Sequence, residues 1–329
     1  MTALAEHRPA TDVTIVVPEL RRWIGRLGPD LGRICLHQLG ADCGKLVRPA
    51  LVFACAQAVG GAAETALPAA VAVELIHNAS LVHDDIMDGD ECRRHRPTVW
   101  KQYGVAQAIL AGDALIGLAF ESLATDARPE HAGAAAADLA RAVRKLAIGQ
   151  HADLRLEGST TTTTAEGLAL MAGKTGALIA VACRLGARLG GAPYAWLDAF
   201  SAYGSDLGVA FQLVDDLLGI WGDPAVTGKP VGSDLRARKN SAPVTAALRT
   251  GGDAAGRLRE LYEAAAPMSD LDVAEARALV DRAGGREWTI DQCRRHAARA
   301  RLALDAIPLD TGGRDPLNHL TDRVLARMP

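Results

Sequence analysis

The chain has 329 residues, of which 49% are hydrophobic and 23% charged, and its formal net charge is −3 at pH 7. This balance excludes the strongly basic surface that nucleic-acid binding needs. No run of about 18 to 20 uninterrupted apolar residues predicts a membrane span, and Glu6, His7 and Arg8 break the apolar run that a signal peptide needs. We therefore expect a soluble, cytoplasmic protein with no nucleic-acid partner and no stable membrane insertion.

The composition predicts an all-α protein with reduced cysteines. Aromatic residues make up 4% of the chain, and alternating runs of β-branched residues are nearly absent. Apolar residues instead recur three and four apart, which is typical of long helices. The six cysteines include no Cys-x-x-Cys pair, so neither a zinc cage nor a disulfide framework is indicated. Since no linker marks a boundary, we expect one domain over residues 1–329, with about the first 15 residues disordered.

The first candidate binding residues are Lys45 and Arg48, in the segment Gly44-Lys-Leu-Val-Arg-Pro49. Their spacing of three predicts that they share one face of a helix, although Pro49 makes the start of that helix uncertain. Such a pair can bind an anion, and the alternative interpretation is an exposed pair without a function.

A long apolar helix follows and ends in Ser-Leu-Val-His-Asp84-Asp85-Ile-Met-Asp88. On a helix these three aspartates fall within an arc of about 100°, so their carboxylates share one face. Like charges repel at that spacing, and divalent cations such as Mg²⁺ would turn the repulsion into a chelate. Arg93 and Arg94 come just after this helix and could serve two anions at once.

The middle of the chain contains five consecutive threonines, Thr160 to Thr164, which predict a loop. Thr163 and Glu166 have the spacing of a capping box that starts the next helix. That helix contains Gly173-Lys174-Thr175-Gly176, which lacks the upstream glycine and the preceding strand of a phosphate-binding loop. We therefore reject a nucleotide triphosphatase.

A second acidic motif, Phe-Gln212-Leu-Val-Asp215-Asp216-Leu-Leu-Gly219, ends another apolar helix. If the two acidic helices pack face to face, their acids line the mouth of an apolar cavity. Two unit charges ~4 Å apart interact by roughly 4 kcal/mol at an effective dielectric of ~20, so these acids would repel a diphosphate unless Mg²⁺ lay between. Lys229, beside Gly228, and Lys239 add positive charge further along the chain.

Together these motifs resemble the trans-isoprenyl diphosphate synthases, the head-to-tail polyprenyl synthase family. The resemblance extends from about Gly44 to about Val244 and also rests on His77, Gly149-Gln150 and Gly232-x-Asp234-Leu235. It implies the isoprenoid synthase fold, a single-domain bundle of long, mostly antiparallel helices around a deep apolar cavity. It also implies a homodimer.

The resemblance implies a prenyltransferase that joins isopentenyl diphosphate to an allylic diphosphate of five to fifteen carbons. Mg²⁺, about three ions per active site, would be the cofactor. The implied metal ligands are Asp84, Asp85, Asp88, Asp215 and Asp216. The implied catalytic residues are Asp84, Asp85, Asp88, Lys174, Thr175, Gln212, Asp215 and Lys229. The implied substrate-binding residues are Lys45, Arg48, His77, Arg93, Arg94 and Lys239.

The chain departs from the family pattern in three places. Gly219 stands where many members carry a third aspartate, and Asp223 is at best a secondary contact because Gly222 and Pro224 make a continued helix doubtful. His95 replaces the usual glycine after the arginine pair, and Cys43 replaces the first residue of a common Gly-Gly.

The length of the product is predicted from helix geometry. One helical turn rises about 5.4 Å, close to one isoprene unit, so Ala79 and Ser80 lie where a growing chain passes. Both are small, which disfavours a C15 stop; Ile76 and Phe120 could then close the floor. We predict the C20 product, geranylgeranyl diphosphate, with C25 or longer as the open alternative.

Two other functions are weighed against elongation. A class I terpene cyclase or an unusual prenyltransferase on the same fold would also ionise an allylic diphosphate, but it has no need of Lys45, Arg48 and Arg94. A non-catalytic partner subunit has no chemical reason to keep five carboxylates. Both are therefore disfavoured.

Overall fold

The computed structural model describes residues 13–40, 44–156, 159–224 and 231–329. Within these ranges the protein is almost entirely helical, which confirms the predicted all-α fold. The helices are α1 (Val16–Gly25), α2 (Gly28–Leu39), α3 (Val47–Ala58), α4 (Ala63–Met87), α5 (Val99–Tyr103), α6 (Val105–Asp126), α7 (Pro129–Leu156), α8 (Thr164–Met171), α9 (Ala177–Leu189), α10 (Leu197–Trp221), α11 (Ser233–Arg236), α12 (Ala242–Arg249), α13 (Gly252–Glu263), α14 (Asp270–Arg282), α15 (Gly285–Asp305) and α16 (Thr311–Leu325). The first 12 residues, on which the prediction of disorder falls, lie outside the described ranges.

The chain forms two compact units. Unit 1 consists of the chain up to Leu139 together with Ala182–Leu197, and unit 2 consists of Ala140–Val181 and Asp198–Pro329. The expectation of one domain over residues 1–329 stays a prediction.

In unit 1, α4 packs against α3 and α6. The helix is buried on most of its circumference because its middle, from Ala69 to Ile76, consists almost wholly of apolar residues. A glycine permits the close contact with α6: a Cβ added to Gly112 would lie 2.5 Å from Cδ2 of His83. Tight packing of this kind fixes the position of the helix end that carries the first acidic motif.

Three helical stretches are long and apolar enough to cross a membrane by length and composition: α4, α6 and Thr164–Leu189. None of the three is an uninterrupted apolar run, since Glu74, Asp113 and Lys174 interrupt them, and such a run is a stricter condition than high mean hydropathy. In α4, 67% of the most apolar window is buried inside the protein, against 44% and 50% in the other two. Burial in unit 1 therefore accounts for much of the apolar character of α4, and the absence of membrane insertion stays a prediction.

A short β-hairpin follows α4, and composition alone did not predict it. β1 (Cys92–Arg93) pairs antiparallel with β2 (Arg96–Pro97). The two loop residues, Arg94 and His95, have φ angles of +51° and +61°. Two-residue hairpin loops favour such left-handed conformations, which are easiest for glycine. His95 therefore has the left-handed backbone conformation that is easiest for glycine.

In unit 2, the C-terminal part of α10 packs into an apolar core with the helices that follow it, including Ile220, Leu235, Val244, Leu258 and Leu279. Thr160 to Thr163 precede α8, whereas Thr164, which was predicted in the loop, is the first residue of the helix. Thr163 and Glu166 form the predicted capping box. α10 ends at Trp221, so Asp223 lies beyond the helix. The described cysteines, Cys35, Cys55, Cys92, Cys183 and Cys293, are free thiols.

Candidate active site

The first acidic motif lies at the C-terminal end of α4. Asp84 is half-buried on the last turn, and Asp88 caps the helix and is exposed. The N–H of Asp88 donates to the carbonyl oxygen of Asp84 at 2.8 Å. Two carboxylates therefore emerge one turn apart at the end of an otherwise buried helix.

Asp85 is held differently from its two neighbours. Its side chain is 1% exposed, and its Oδ1 accepts hydrogen bonds from Nε and Nη2 of Arg93 at 2.7 and 2.6 Å. Burial raises the pKa of Asp85, and the bonds from Arg93 oppose that rise. Arg93 thus compensates a buried carboxylate. The roles of Asp85 in metal binding and of Arg93 in substrate binding stay predictions.

The start of α3 corrects one expectation about the basic residues. Leu46 has a left-handed backbone (φ +47°) and α3 begins at Val47, so Lys45 precedes the helix. The prediction that Lys45 and Arg48 share a helical face is therefore wrong. A left-handed residue cannot continue a right-handed helix, and Pro49 lies in the first turn of α3, where its missing N–H is not needed. Arg48 is half-buried in that turn, and Lys45 is exposed.

His77 lies among the arginines of unit 1. Burial lowers its pKa well below 6.5, and the charges of Arg48, Arg94 and Arg93 lower the pKa further. The ring is therefore neutral at pH 7, and three guanidinium groups lie close enough to act on it. This concentration of positive charge, with a neutral hydrogen-bond donor, suits a diphosphate.

Glu74 belongs to the same cluster, although the sequence analysis did not identify it. Its buried side chain accepts a hydrogen bond from Nδ2 of Asn78 at 3.4 Å. Burial raises the pKa of Glu74, and the charges of Arg48 and Arg94 oppose that rise. A single acid within the apolar stretch of α4 is the signal that could have found it, because buried acids need cationic partners.

The β-hairpin is fastened to α2 through His37. Nη2 of Arg96 lies 3.1 Å from Nδ1 of His37, which accepts this hydrogen bond, and Nε2 of His37 donates to the carbonyl oxygen of Pro97 at 2.8 Å. A cavity of about 320 Å³ lies beside the hairpin, and its lining includes Arg93, Arg94 and Arg96. The role of His37 was not predicted from the sequence, because its partners are about 60 residues away in the chain.

The second acidic motif lies near the C-terminal end of α10, in unit 2. Oδ1 of Asp215 accepts a hydrogen bond from Nη2 of Arg327 at 2.7 Å. The same guanidinium lies over the ring of Phe211, 4.8 Å from its centroid. Arg327 was not predicted from the sequence, because it lies 112 positions after Asp215 and no local pattern connects the two residues.

Asp216 is buried, and both of its oxygens accept hydrogen bonds from neutral donors. Nε2 of Gln212 donates to Oδ1 at 2.9 Å, and the N–H of Ala242 donates to Oδ2 at 2.8 Å. Oε1 of Gln212 in turn accepts from the hydroxyl of Thr175 at 2.8 Å. Burial raises the pKa of Asp216 to about 7 against these bonds. Asp216 therefore orients Gln212 and Thr175, and metal ligation by Asp216 stays a prediction.

Lys174 lies in a π-helical turn, Ala172–Gly176, between α8 and α9. Gly149 lets α7 approach this turn, since a Cβ there would lie 2.7 Å from the backbone nitrogen of Lys174. Nζ of Lys174 bonds to Oδ2 of Asp153 at 2.6 Å. Asp153 was not predicted from the sequence, although its position one helical turn after Gly149 on α7 could have indicated it.

The remaining predicted residues have different outcomes. Lys239 is exposed, and its backbone N–H donates to the carbonyl oxygen of Asp234 at 2.9 Å. Lys229 lies outside the described residues, as does Cys43.

The residues predicted to set the product length all lie in unit 1. Ala79 and Ile76 are buried on α4, and Phe120 is half-buried on α6. Ser80 is half-buried, and its hydroxyl donates to the carbonyl oxygen of His77 at 2.9 Å. Ala79 and Ser80, about one turn before Asp84 on α4, are thus both small side chains.

The carboxylates suit a hard divalent cation that is shared with a substrate. Within the described ranges, no three His, Cys, Asp or Glu side chains converge into a metal site of their own. Mg²⁺ is usually held by one or two carboxylates, with substrate phosphates completing its shell. Asp84 and Asp88, one turn apart at a helix end, fit that form of binding.

Comparison with known proteins agrees with these features. The family model for polyprenyl synthetase matches residues 32–280. The chain is 46% identical over 298 residues to the (2E,6E)-farnesyl diphosphate synthase of Mycobacterium bovis, covering 87% of this chain and 83% of that protein. It is 50% identical over 278 residues to the geranylgeranyl diphosphate synthase of Mycobacterium tuberculosis, covering 82% and 79%. A crystal structure of polyprenyl synthetase from Streptomyces coelicolor matches with a TM-score of 0.90 and 46% identity, covering 95% of this chain and 100% of that one.

Proposed function

The chain belongs to the polyprenyl synthetase family of prenyltransferases, and we propose on that premise that it extends an allylic diphosphate with isopentenyl diphosphate to geranylgeranyl diphosphate. The basic cluster around His77 is the observation that carries this proposal. Elongation needs a site for a second diphosphate, whereas an enzyme that only ionises an allylic diphosphate does not. Arg48 and Arg94 near the neutral His77 fit isopentenyl diphosphate, and their charges also act on the buried Glu74.

Lys45 and Arg93 complete the proposed contacts with diphosphate in unit 1. Lys45 is exposed just before α3, where its flexible ammonium group can reach a bound phosphate. Arg93 is engaged with Asp85, so its remaining N–H donors are the ones left for substrate.

The acidic residues would hold Mg²⁺ together with the allylic diphosphate. Asp84 and Asp88 are the residues of the first motif that present accessible carboxylates, and Asp215 is the half-buried acid of the second. Bound Mg²⁺ would offset the charge of the diphosphate and assist its departure. Asp85 and Asp216 are the remaining proposed metal ligands; both are buried, and Oδ2 of Asp85 has no hydrogen-bond partner among the described residues.

The reaction breaks the allylic C–O bond, and both electrons leave with the diphosphate. The alkene of isopentenyl diphosphate then forms the new C–C bond at the allylic cation, and a proton passes to the released diphosphate. Lys174, held by Asp153, would bind the leaving group. The hydroxyl oxygen of Thr175 keeps its lone pairs while its proton is donated to Gln212, so this oxygen can stabilise the cation.

The assignment of a C20 product rests on α4. Ala79 and Ser80 leave room for a chain to pass below Asp84, and α6, with Phe120, packs against the same helix. The relatives' names include both the farnesyl and the geranylgeranyl length, so they do not decide between C15 and C20.

Product analysis tests this function. The purified protein is incubated with Mg²⁺, isopentenyl diphosphate and, separately, C5, C10, C15 and C20 allylic diphosphates, and products are identified by mass spectrometry. We expect geranylgeranyl diphosphate from the C5, C10 and C15 substrates and no extension of the C20 substrate. Cyclic hydrocarbons formed without isopentenyl diphosphate would indicate a cyclase. No turnover with any substrate would indicate a partner subunit.

Substitutions at Ala79 and Ser80 on α4, along the proposed path of the growing chain, test the product length separately. Ala79→Phe is expected to shorten the product to C15, because the ring fills the path of the chain. Ser80→Phe, at a half-buried position, repeats the test if Ala79→Phe does not fold. Ala79→Ser adds one atom and serves as the control with an unchanged product. An unchanged product length in both Phe variants would refute the proposal that Ala79 and Ser80 on α4 line the path of the growing chain.

We also propose a homodimer, which is supported by an apolar face of α6. Val105, Ile109 and Leu110 are 46%, 45% and 54% exposed, and they cluster within six residues of one helix. Ile109→Glu is expected to give monomers in sedimentation velocity. Leu302→Glu, at a separate leucine that is 67% exposed, should leave the dimer intact. A monomeric wild-type protein would contradict this proposal.

A further inference from the structure

Three arginines lie within four positions of the β-hairpin, and all three line the cavity of about 320 Å³ beside it. Arg93 is bonded to the buried carboxylate of Asp85. Arg94 lies in the two-residue loop, and Arg96 lies on β2. The proposed function uses Arg93 and Arg94, and it leaves Arg96 without a role.

His37, in the last turn of α2, holds Arg96. A guanidinium can only donate hydrogen bonds, so Nδ1 of His37 accepts from Nη2 of Arg96 at 3.1 Å. Nε2 carries the ring proton and donates to the carbonyl oxygen of Pro97 at 2.8 Å. The ring of Tyr103 packs edge to face against the imidazole, with centroids 5.3 Å apart. The imidazole is therefore fixed as a neutral ring that accepts at one nitrogen and donates at the other.

Two glycines leave room for the guanidinium groups of the hairpin. A Cβ added to Gly40 would lie 2.9 Å from Nη1 of Arg96, and one added to Gly44 would lie 2.7 Å from Nη2 of Arg94. Both glycines have left-handed backbones, with φ angles of +73° and +71°. A side chain at either position would collide with a guanidinium group, so the places of Arg94 and Arg96 are closely defined.

The neutrality of His37 preserves the charge of Arg96. A carboxylate at position 37 would hold the guanidinium more strongly, because charge-assisted hydrogen bonds are the stronger ones. It would also offset the positive charge, as Asp85 does for Arg93. Among the described residues, the side-chain partner of Arg96 is instead an uncharged ring. Arg94 and Arg96 thus bring two positive charges to one cavity, which is unfavourable unless an anion binds there.

We propose that Arg96 is a further binding residue for the diphosphate of isopentenyl diphosphate, and that His37 positions its guanidinium in the cavity without offsetting its charge. The inference rests on the proposed function, since it names the substrate whose diphosphate enters the cavity. Arg94, which the proposed function assigns to the same diphosphate, lines this cavity as well. A volume of about 320 Å³ is within the range of sites for small ligands.

Binding of inorganic diphosphate without a divalent cation tests Arg96 directly. In EDTA the acidic motifs repel diphosphate, so basic residues account for its binding. Isothermal titration calorimetry of the full chain compares the wild type with Arg96→Gln, which keeps an N–H donor for His37 and removes the charge. The affinity is expected to fall about tenfold. Equal affinities of the wild type and Arg96→Gln would overturn the proposal.

Arg33→Gln is the matched control for this titration. It removes the same charge from an exposed position one turn before His37 on α2, outside the cavity lining. Screening by salt weakens the effect of a charge at such a position, so the affinity should change by less than about twofold. A loss equal to that in Arg96→Gln would show that only the total charge matters and would overturn the role of Arg96.

Two substitutions of the same shape at position 37 separate positioning from a structural role. His37→Asn and His37→Asp both offer an oxygen acceptor to Arg96, and only aspartate carries a charge. His37→Asn is expected to bind inorganic diphosphate within about threefold of the wild type. His37→Asp should bind about tenfold more weakly with an equal or higher Tm, because its carboxylate holds Arg96 and offsets its charge. Equal affinities of the two variants would contradict the proposed role of His37.

Steady-state kinetics assign the cavity to one of the two substrates. Arg96→Gln is expected to raise the KM for isopentenyl diphosphate about tenfold and to change the KM for the C15 allylic diphosphate by less than about twofold. A structural defect would act on both values. Equal increases in both KM values, or an unchanged KM for isopentenyl diphosphate, would overturn the assignment.

Failure of this inference is distinguishable from failure of the proposed function. If the wild type extends allylic diphosphates and Arg96→Gln binds inorganic diphosphate normally, the function stands and the role of Arg96 is wrong. If binding of inorganic diphosphate depends on Arg96 and no prenyl product forms, the diphosphate site stands and the proposed reaction is wrong. A wild type that binds no inorganic diphosphate would overturn the role of Arg96.

Discussion

The two acidic motifs end apolar helices with the same Asp-Asp pair, but each motif balances its buried carboxylate with different partners. Asp85 on α4 is paired with the guanidinium of Arg93, whereas Asp216 on α10 accepts bonds from a side-chain amide and a backbone N–H. Burial raises the pKa in both cases, and for Asp216 the value reaches about 7. A repeated sequence pattern therefore does not imply a repeated electrostatic environment.

The accessible acids differ as well. Asp88 is exposed at the end of α4, whereas Asp215 is bonded to Arg327. A cation that binds Asp215 must therefore displace Arg327 or share the carboxylate with it. The first motif is the more open of the two in this structure, and the following substitutions test that difference.

The largest effect is expected at Asp88. Asp88→Ala should lower kcat by about three orders of magnitude, because it removes an accessible carboxylate that is proposed to hold Mg²⁺ against the leaving diphosphate. Folding should be nearly unchanged, since the residue lies outside the core. Steady-state kinetics and thermal melting measure the two effects. Asp113→Ala, at an acid on α6 that is 64% exposed, is the control, and full activity of Asp88→Ala would refute the role.

Substituting the hydrogen-bond partner of each buried acid should lower the free energy of unfolding by different amounts in the two motifs. Arg93→Ala leaves the buried Asp85 without its cation and is expected to cost about 3 kcal/mol in the free energy of unfolding. Gln212→Ala removes a neutral donor from Asp216 and should cost about 1 kcal/mol. Urea denaturation measures both, and R93A/D85N should recover most of the loss. Equal costs for Arg93→Ala and Gln212→Ala would contradict the distinction.

The pH dependence of stability should report the lowered pKa of His77, which lies among the arginines of unit 1. Folded His77 resists protonation, so the unfolded chain binds more protons below about pH 6.5 and stability falls as the pH falls. This residue contributes a slope of at most about 1.4 kcal/mol per pH unit. His77→Gln should flatten the pH profile of urea unfolding between pH 5 and 7, and the exposed His319→Gln should not. Identical slopes of stability against pH in the wild type and both variants would exclude a lowered pKa of His77.

The smallest effect is expected at Arg327. Half-exposed ion pairs contribute about 0.2 to 1 kcal/mol, so Arg327→Ala should tighten Mn²⁺ binding by at most about fivefold. Mn²⁺ binding is measured by electron paramagnetic resonance of free Mn²⁺ in the presence of inorganic diphosphate. Arg323→Ala, at an exposed arginine in the last turn of α16, shortly before Arg327, serves as the control. Weaker Mn²⁺ binding in Arg327→Ala would show that the arginine supports the site and does not compete for Asp215.

The sequence predicted those features that depend on residues close together in the chain. The apolar period of α4 and α10, the acids at their ends and the capping box of Thr163 all follow from spacings of three and four. The prediction for Lys45 failed because the left-handed Leu46 is a local conformation that side-chain spacing does not show.

The features that the sequence did not predict depend on distant residues. Arg327 reaches Asp215 across 112 positions, and Asp234 reaches Gly219 only because α11 packs against α10. Tertiary packing decides such contacts, and no period in the sequence encodes them. Glu74 is an intermediate case, because its isolation among apolar residues indicated a partner without identifying which one.

The π-helical turn at Ala172–Gly176 makes the chemistry of unit 2 sensitive to the length of the chain. A π turn contains one residue more than the regular helix into which it is inserted. Deletion of a single residue there would restore an unbroken α-helix and so leave secondary structure content almost unchanged. It would nevertheless rotate Lys174 and Thr175 by about 100° relative to one flank and separate them from Asp153 or Gln212. Loss of one codon in this stretch would thus yield a well-folded protein without its reactive centre.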